Sequence, residues 1–157
     1  SKGYDCFIEL SKRLSKDEVI VMVGVLESQK YKLPDNIIGI TRTNDNKELA
    51  EIYTAADVFV NPTLQETMGL VNVEALACGT PVITFNTGGS IETIDDKTGI
   101  VIEKEDYEGL YKAIKKIKFK GKDNYAEECI MRARKLYNKN HRFSDYVNLY
   151  KEVISLC

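Results

Sequence analysis

The chain has 157 residues, which is enough for one domain with its own hydrophobic core and too few for two. Hydrophobic residues make up 43% of it and charged residues 29%, as is usual for a globular protein. The formal net charge of -2 gives no general attraction to nucleic acid, so we expect no nucleic-acid partner.

The first residues, Ser1, Lys2 and Gly3, lead directly into an amphipathic helical pattern from Tyr4 to Leu14. No secretory signal and no strand come before this pattern. Such an opening is typical of a domain cut at its boundary, and we expect the first strand of the domain to be missing.

Five short apolar runs, rich in β-branched residues and bounded by Gly, Pro, Asn or charge, predict buried strands. They are Val19–Val23, Ile37–Ile40, Val58–Val60, Val82–Phe85 and Ile100–Ile102. Helical patterns separate several of them, at Asn46–Ala55, Leu70–Ala77 and Tyr107–Ile117. This alternation is typical of βαβ units and predicts an α/β fold with a parallel sheet.

Two further helical segments, Asn124–Asn138 and Ser144–Leu156, follow the last strand and should pack outside the sheet. The lysine-rich stretch before them, Lys112–Lys122, has the basic amphipathic character of a membrane-surface helix. Acidic residues are dense on both of its flanks, which favours a solvated helix face.

The segment from Asp57 to Thr80 predicts an anion site. A strand ends at Val60, a turn with Pro62 follows, and Gly69 lies where the next helix should begin. Ligands of open parallel sheets bind at this edge. A helix N-terminus offers unpaired N–H groups and a positive dipole end, and a glycine lets the ligand approach the main chain.

Two carboxylates, Glu66 in the loop and Glu74 in the helix, flank this predicted anion site. They would repel a bare phosphate, but they accept hydrogen bonds from sugar hydroxyls. A nucleotide sugar, with a diphosphate between two hydroxylated rings, suits both features. The alternative is that both glutamates are solvated residues around an ordinary turn.

A second glycine loop, with Gly88 and Gly89, follows the next predicted strand and opens a short helix. Two such loops can face one crevice, which favours a ligand site. A plain Gly-Gly turn is the alternative.

Together these motifs resemble glycosyltransferase family 4. The C-terminal domain of that family carries two glutamates with seven residues between them, as Glu66 and Glu74 have, and a small-Gly-x-Pro-Val turn, as in Cys78–Val82. The resemblance covers nearly the whole chain, because further family runs are similar to Lys2-Gly3, to Glu48-Leu49 with Ala55–Val58, and to Gly88-Gly89 with Thr98-Gly99.

The resemblance implies a Rossmann-like, doubly wound parallel sheet that is one half of a GT-B glycosyltransferase. Residues 1–157 would be the C-terminal donor-binding domain, without the N-terminal acceptor domain. In the strand order 3-2-1-4-5-6, a missing first strand leaves a gap between the Val19 and Val58 strands unless they pair or another segment fills it.

The resemblance also implies the activity. The intact protein would be a hexosyltransferase-type enzyme that moves a sugar from a nucleotide-diphosphate sugar to an acceptor with retention, and the fragment alone would be inactive. The family often works in cell-surface polysaccharide or glycoconjugate biosynthesis. A GT-B-shaped nucleotide-sugar epimerase and a non-catalytic nucleotide-sugar-binding module remain alternatives.

Site roles follow by resemblance as well. Glu74 would hold the ribose hydroxyls, and Glu66, the catalytic candidate, would contact a hydroxyl of the transferred sugar, in a hydroxyl-binding or electrostatic role rather than as a nucleophile. The other donor-binding residues would be Lys2, the backbone amides of Met68, Gly69 and Leu70, and the loop glycines Gly88 and Gly89. Met68 departs from the family, which usually has Phe there.

No cofactor and no metal ligands are expected, because Lys2 and a helix N-terminus would stabilise the leaving diphosphate. Thr41 and Arg42, in the loop after the second strand, are candidates for base recognition or plain turn residues. His141 is interpreted as a surface residue.

Four scattered cysteines, Cys6, Cys78, Cys129 and Cys157, suggest neither a zinc site nor a disulfide framework. The longest apolar run, Val19–Leu26, is too short to cross a bilayer. We therefore expect a reduced, cytoplasmic setting, with peripheral contact of the intact protein at the inner face of the membrane as a further option.

Overall fold

The structure is a computed structural model, and it describes residues 2–63 and 69–138. The predicted site residues Glu66 and Met68, the residue His141 and the predicted helix Ser144–Leu156 lie outside these ranges. The helices are α1 (Lys2–Ser11), α2 (Glu27–Lys30), α3 (Asn46–Ala55), α4 (Leu70–Ala77), α5 (Tyr107–Lys120) and α6 (Ala126–Asn138). The strands are β1 (Ile20–Val23), β2 (Ile37–Ile40), β3 (Phe59–Asn61), β4 (Val82–Phe85) and β5 (Gly99–Ile102).

Every strand pair in the described residues is parallel, as the alternation of strands and helices predicted. β1 pairs with β2 in a two-stranded sheet, and β3, β4 and β5 form a second sheet in that order. The α/β fold class is therefore confirmed. The parallel arrangement places the carboxyl ends of β3, β4 and β5 at one edge of their sheet.

β1 and β3 do not pair with each other in the described part of the chain. A cleft of about 970 Å³ is lined from one side by Met22 and Val25, from the other by Asn61 and Thr63, and by Phe7 of α1. The break lies where a gap was predicted between the Val19 and Val58 strands. That a first strand is missing there stays a prediction.

The hydrophobic core is divided unequally between the two sheets. The main core surrounds β3, β4 and β5, and its fully buried side chains include Leu76, Ile83, Leu110 and Ile117. A small cluster of Met22, Val25 and Ile37 lies on the β1–β2 sheet, with residues of α1 packed against it. Helix α6 packs against α4. Most of the apolar burial, and so most of the hydrophobic stabilisation, belongs to the second sheet.

Glu18 fixes the loop before β1 to helix α5. Its carboxylate accepts hydrogen bonds from the Ser15 amide at 2.7 Å, from the Tyr111 hydroxyl at 3.1 Å and from Lys118 Nζ at 3.2 Å. Lys115 Nζ lies 3.5 Å away. Burial opposes ionisation, but these donors together hold the pKa of Glu18 at about 2.

Within the described ranges, no helix is long and apolar enough to cross a bilayer.

Candidate functional site

The two glycine loops leave neighbouring strands at the same edge of the second sheet. β3 ends at Asn61 and leads towards α4, whereas β4 ends at Phe85 and leads into a 3-10 helix, Gly88–Glu92. β3 and β4 are parallel neighbours. Both loops therefore emerge side by side, as expected for a ligand-binding edge.

Gly69 is the N-cap of α4, and it lies close to the second glycine loop. Its backbone is left-handed, with φ 62° and ψ 33°. A Cβ atom at this position would lie 2.6 Å from Thr93 Cγ2, 3.4 Å from Ser90 Cα and 3.6 Å from Gly89 O. Both the backbone conformation and the close approach therefore require glycine. The structure thus brings together Gly69 and Gly89, two of the predicted donor-binding residues.

A buried polar network also connects the two loops. Asn72 of α4 accepts a hydrogen bond from Asn61 Nδ2 at 2.8 Å and donates to Thr93 Oγ1 at 3.1 Å. Thr87 Oγ1 donates to the carbonyl of Thr63 at 3.1 Å. Because buried polar groups are costly when unpaired, this network fixes the spacing of the loops.

Sequence reasoning did not identify the members of this network. The available signal was a pair of asparagines, Asn61 and Asn72, at positions where a strand and a buried helix are otherwise apolar. Both side chains are buried. Polar residues at such positions must find partners, but the sequence does not say which ones.

The second loop is also fixed from its far side by α6. Arg132 donates from Nε to the carbonyl of Thr93 at 3.2 Å and from Nη2 to the carbonyl of Glu92 at 2.7 Å. Inside the loop, Ser90 is completely buried, and its hydroxyl has no hydrogen-bond partner in the described part of the structure. The loop is thus held rigidly against the start of α4.

Helix α4 supplies the electrostatic feature of the site. Its first two amides, those of Leu70 and Val71, donate to no carbonyl of the described residues, whereas the amides of Asn72 and Val73 donate to the Gly69 carbonyl. The helix dipole places partial positive charge at this end. No acidic residue lies in this first turn. The end of the helix is therefore suited to an anion such as a phosphate group.

Glu74 lies one turn further along α4 and is half-buried. Burial raises the pKa of its carboxyl group, and a hydrogen bond from Tyr53 partly offsets the increase. The Tyr53 hydroxyl on α3 donates to Glu74 Oε2 at 3.2 Å. A carboxylate in this environment is an acceptor for neutral hydroxyl donors.

Among the remaining predicted site residues, Gly88 is exposed and Lys2 begins α1, with its side chain outside the described structure. The start of α1 lies beside the β3–α4 loop, because a Cβ atom on Gly3 would lie 3.7 Å from Pro62 Cγ. Thr41 and Arg42 follow β2. No hydrogen bond or ion pair within the described ranges joins these two to another predicted site residue. The described residues contain no cluster of His, Cys, Asp and Glu that would hold a metal ion.

The chain matches the family model of the glycosyl transferases group 1 over residues 1–136. It is 49% identical over 57 residues to a D-inositol 3-phosphate glycosyltransferase of Paenarthrobacter aurescens, covering 36% of this chain and 14% of that protein. It is 32% identical over 106 residues to the capsular polysaccharide biosynthesis glycosyltransferase CapM of Staphylococcus aureus, covering 62% of this chain and 28% of that protein.

A similar solved structure is that of Anabaena HepE in complex with UDP, with a TM-score of 0.72 and 17% identity over 99% of this chain and 44% of that one. This likeness concerns the fold. The chain thus spans less than half the length of each of these three proteins. Because the family model covers most of the chain, as the motifs predicted, the protein belongs to the group 1 glycosyl transferases.

Proposed function

We propose that the whole protein transfers a sugar from a nucleotide-diphosphate sugar to an acceptor, and that this chain is its donor-binding domain. The observation that carries the proposal is the contact of Gly69, at the N-terminus of α4, with the second glycine loop at Gly89 and Ser90. A helix N-terminus against a rigid loop, with a carboxylate on the same helix, suits a ligand that is anionic in one part and hydroxylated in another.

The diphosphate would bind at the start of α4. The amides that begin at Leu70 would donate to its oxygens, and Gly69 admits the ligand close to the main chain. Lys2 would supply the positive charge that stabilises the diphosphate as it leaves, since the start of α1 lies beside Pro62. This division of work needs no metal ion.

Glu74 would accept hydrogen bonds from the ribose hydroxyls. A carboxylate has about four lone-pair positions, and only Oε2 is engaged by a donor in the described part of the chain. Thr41 and Arg42 would contact the base. The donor is proposed to be a uridine-type nucleotide sugar, because HepE, whose fold is similar, was crystallised with UDP.

The transferred sugar would lie beside Glu66, with Met68 packing against it. Glu66 would accept a hydrogen bond from a sugar hydroxyl and stabilise the positive charge that develops at the anomeric carbon. We propose transfer with retention of configuration. The acceptor would bind mainly to a second domain. The similarity to CapM, a capsular polysaccharide biosynthesis glycosyltransferase, favours an acceptor in cell-surface polysaccharide assembly. The enzyme would act in the cytoplasm, at the inner face of the membrane.

The full-length protein tests this proposal. Thermal unfolding would be measured with UDP-, GDP- and ADP-sugars, where a ligand at 100 times its Kd adds about 2.7 kcal/mol of stability. We expect the UDP-sugars to raise the Tm most, and we expect nucleotide release that depends on an acceptor. If no nucleotide sugar binds in calorimetry, the proposal is wrong; if the product is an altered sugar still attached to the nucleotide, the enzyme is an epimerase.

A further inference from the structure

We propose that Tyr53 is a positioning residue for Glu74: it fixes one carboxylate oxygen and leaves the other to accept the ribose hydroxyls. The inference rests on the proposed donor-binding function. It adds a residue on α3, outside the two glycine loops, to the machinery of the site.

The hydrogen bond defines which atoms are involved. Tyr53 Oη and Glu74 Oε2 are 3.2 Å apart. An ionised carboxylate only accepts hydrogen bonds, so the phenol must donate. Glu74 Oε1 has no hydrogen-bond donor in the described part of the chain. A glutamate tied at one oxygen loses less conformational freedom when a ligand binds the other, and this favours binding.

Tyr53 is itself held firmly, which a positioning group requires. Its ring is buried and packs edge-on against Phe59, with ring centroids 5.3 Å apart and an interplanar angle of 84°. Its carbonyl accepts a hydrogen bond from Thr80 Oγ1 at 2.6 Å.

The end of α3 is fixed from outside the helix as well. Lys122 donates to the carbonyls of Thr54 and Ala56, on either side of the last helical residue. Tyr53 is thus anchored to the main core through its ring and through the end of α3.

Several titratable groups lie around the Tyr53–Glu74 pair. Burial raises the pKa of Cys78, the C-cap of α4 one turn from Glu74, to about 12, and it also raises the pKa of Tyr53. Tyr137 of α6 acts electrostatically on Tyr53, and the Lys122 ammonium acts on Cys78. Burial also raises the pKa of Glu74, and the hydrogen bond from Tyr53 partly offsets this increase.

The test is Tyr53→Phe in the full-length enzyme, which removes one oxygen and keeps the ring. We expect the KM for the donor to rise about tenfold, equivalent to about 1.4 kcal/mol, with kcat changed less than twofold. Loss of the hydrogen bond raises the pKa of Glu74. The acidic limb of the pH profile, which is the pH range over which donor affinity falls on acidification, therefore moves to higher pH. A purely structural role of Tyr53 would leave that limb in place.

Tyr111→Phe is the matched control, because it also removes a tyrosine hydroxyl from a carboxylate, that of Glu18, and it lies outside the site. Its donor KM and pH profile should equal those of the unmodified enzyme. Adding Tyr53→Phe to Glu74→Gln should produce no further change in the pH profile, since the titrating group is gone.

The possible failures are distinguishable. If Glu74→Gln weakens donor binding and Tyr53→Phe changes neither KM nor the pH limb, the positioning role is overturned and the donor site stands. If Glu74→Gln leaves donor binding unchanged, the ribose assignment fails and the positioning role fails with it.

Discussion

Asn61 and Asn72 are joined side chain to side chain in the interior, with Nδ2 of Asn61 donating to Oδ1 of Asn72 at 2.8 Å. The first ends β3 and the second lies in α4. The bond spans the β3–α4 loop, which the proposed donor site uses. The spacing between the end of β3 and the start of α4 therefore depends on two buried amides and on the Thr93 hydroxyl that Asn72 also contacts.

Asn72→Ala should destabilise the protein by about 3 kcal/mol, because it leaves Asn61 and Thr93 without their partner in a buried site and opens a small cavity. Urea unfolding measures this loss. Asn86→Ala is the control: its amide donates to Glu103 in an exposed pair, and its removal should cost less than about 0.5 kcal/mol. Equal effects of the two variants would contradict the role of the network.

Gly69→Ala should lower both stability and donor affinity. The left-handed backbone and the 2.6 Å approach to Thr93 Cγ2 together predict a loss of about 3 kcal/mol. Gly121→Ala also places a side chain at positive φ, with φ 90° and ψ 136°, but nothing lies nearer to its Cβ than 3.7 Å. It should cost about 2 kcal/mol and leave donor affinity unchanged. Calorimetry of both variants checks the difference.

Glu74→Gln should increase stability at pH 7, by about 1 kcal/mol. Burial raises the pKa of Glu74 in the folded state above its unfolded value, so the fold carries an unfavourable buried charge once pH rises through the folded pKa. The neutral amide removes that cost. Thermal unfolding between pH 4 and pH 8 should show an advantage of the variant that grows with pH; an advantage that is largest at acidic pH would contradict this origin.

Glu18→Gln should cost about 2 kcal/mol at pH 6, because hydrogen bonds to a charged group are lost. The pKa of Glu18 is lowered to about 2, so its contribution is present above the unfolded value of about 4.5 and disappears as pH falls towards 2. Denaturant unfolding at pH 6 and pH 2.5 should therefore show a large difference between variant and parent only at pH 6.

Asp17→Asn is the control for Glu18, since Asp17 also pairs with Lys118 but its side chain is 76% exposed. Its effect should be much smaller than that of Glu18→Gln at pH 6, because an exposed ion pair is screened by solvent.

Elements with strong local signals were predictable from the sequence. Two helices have the bounds that their sequence patterns predicted, Asn46–Ala55 and Leu70–Ala77. The first is capped by Asp45, whose side chain accepts a hydrogen bond from the Glu48 amide. The pattern from Tyr4 to Leu14 proved too long. The helix ends at Ser11, whose hydroxyl bonds back to the carbonyl of Ile8.

What the sequence could not supply were side-chain pairs between distant elements. α2 was missed because a helix of four residues has no measurable period. The contact of Tyr53 with Glu74 and that of Asn72 with Thr93 each join residues 21 positions apart. Their distances depend on how helices pack on the sheet, which spacing along the chain does not determine. Glu66 and Met68 stay predictions.

The unequal division of the core has a consequence for hydrogen exchange. The β1–β2 sheet has two buried core side chains, Met22 and Ile37, and exposes Val21, Val23 and Ile38, so it should open at a lower free energy than the β3–β4–β5 sheet. Amides of β1 and β2 should therefore exchange earlier than those of β4. Thr41 and Arg42, the proposed base contacts, follow β2, so a bound donor would slow exchange most in the β1–β2 sheet. Donor binding would thereby order the less stable part of the donor site.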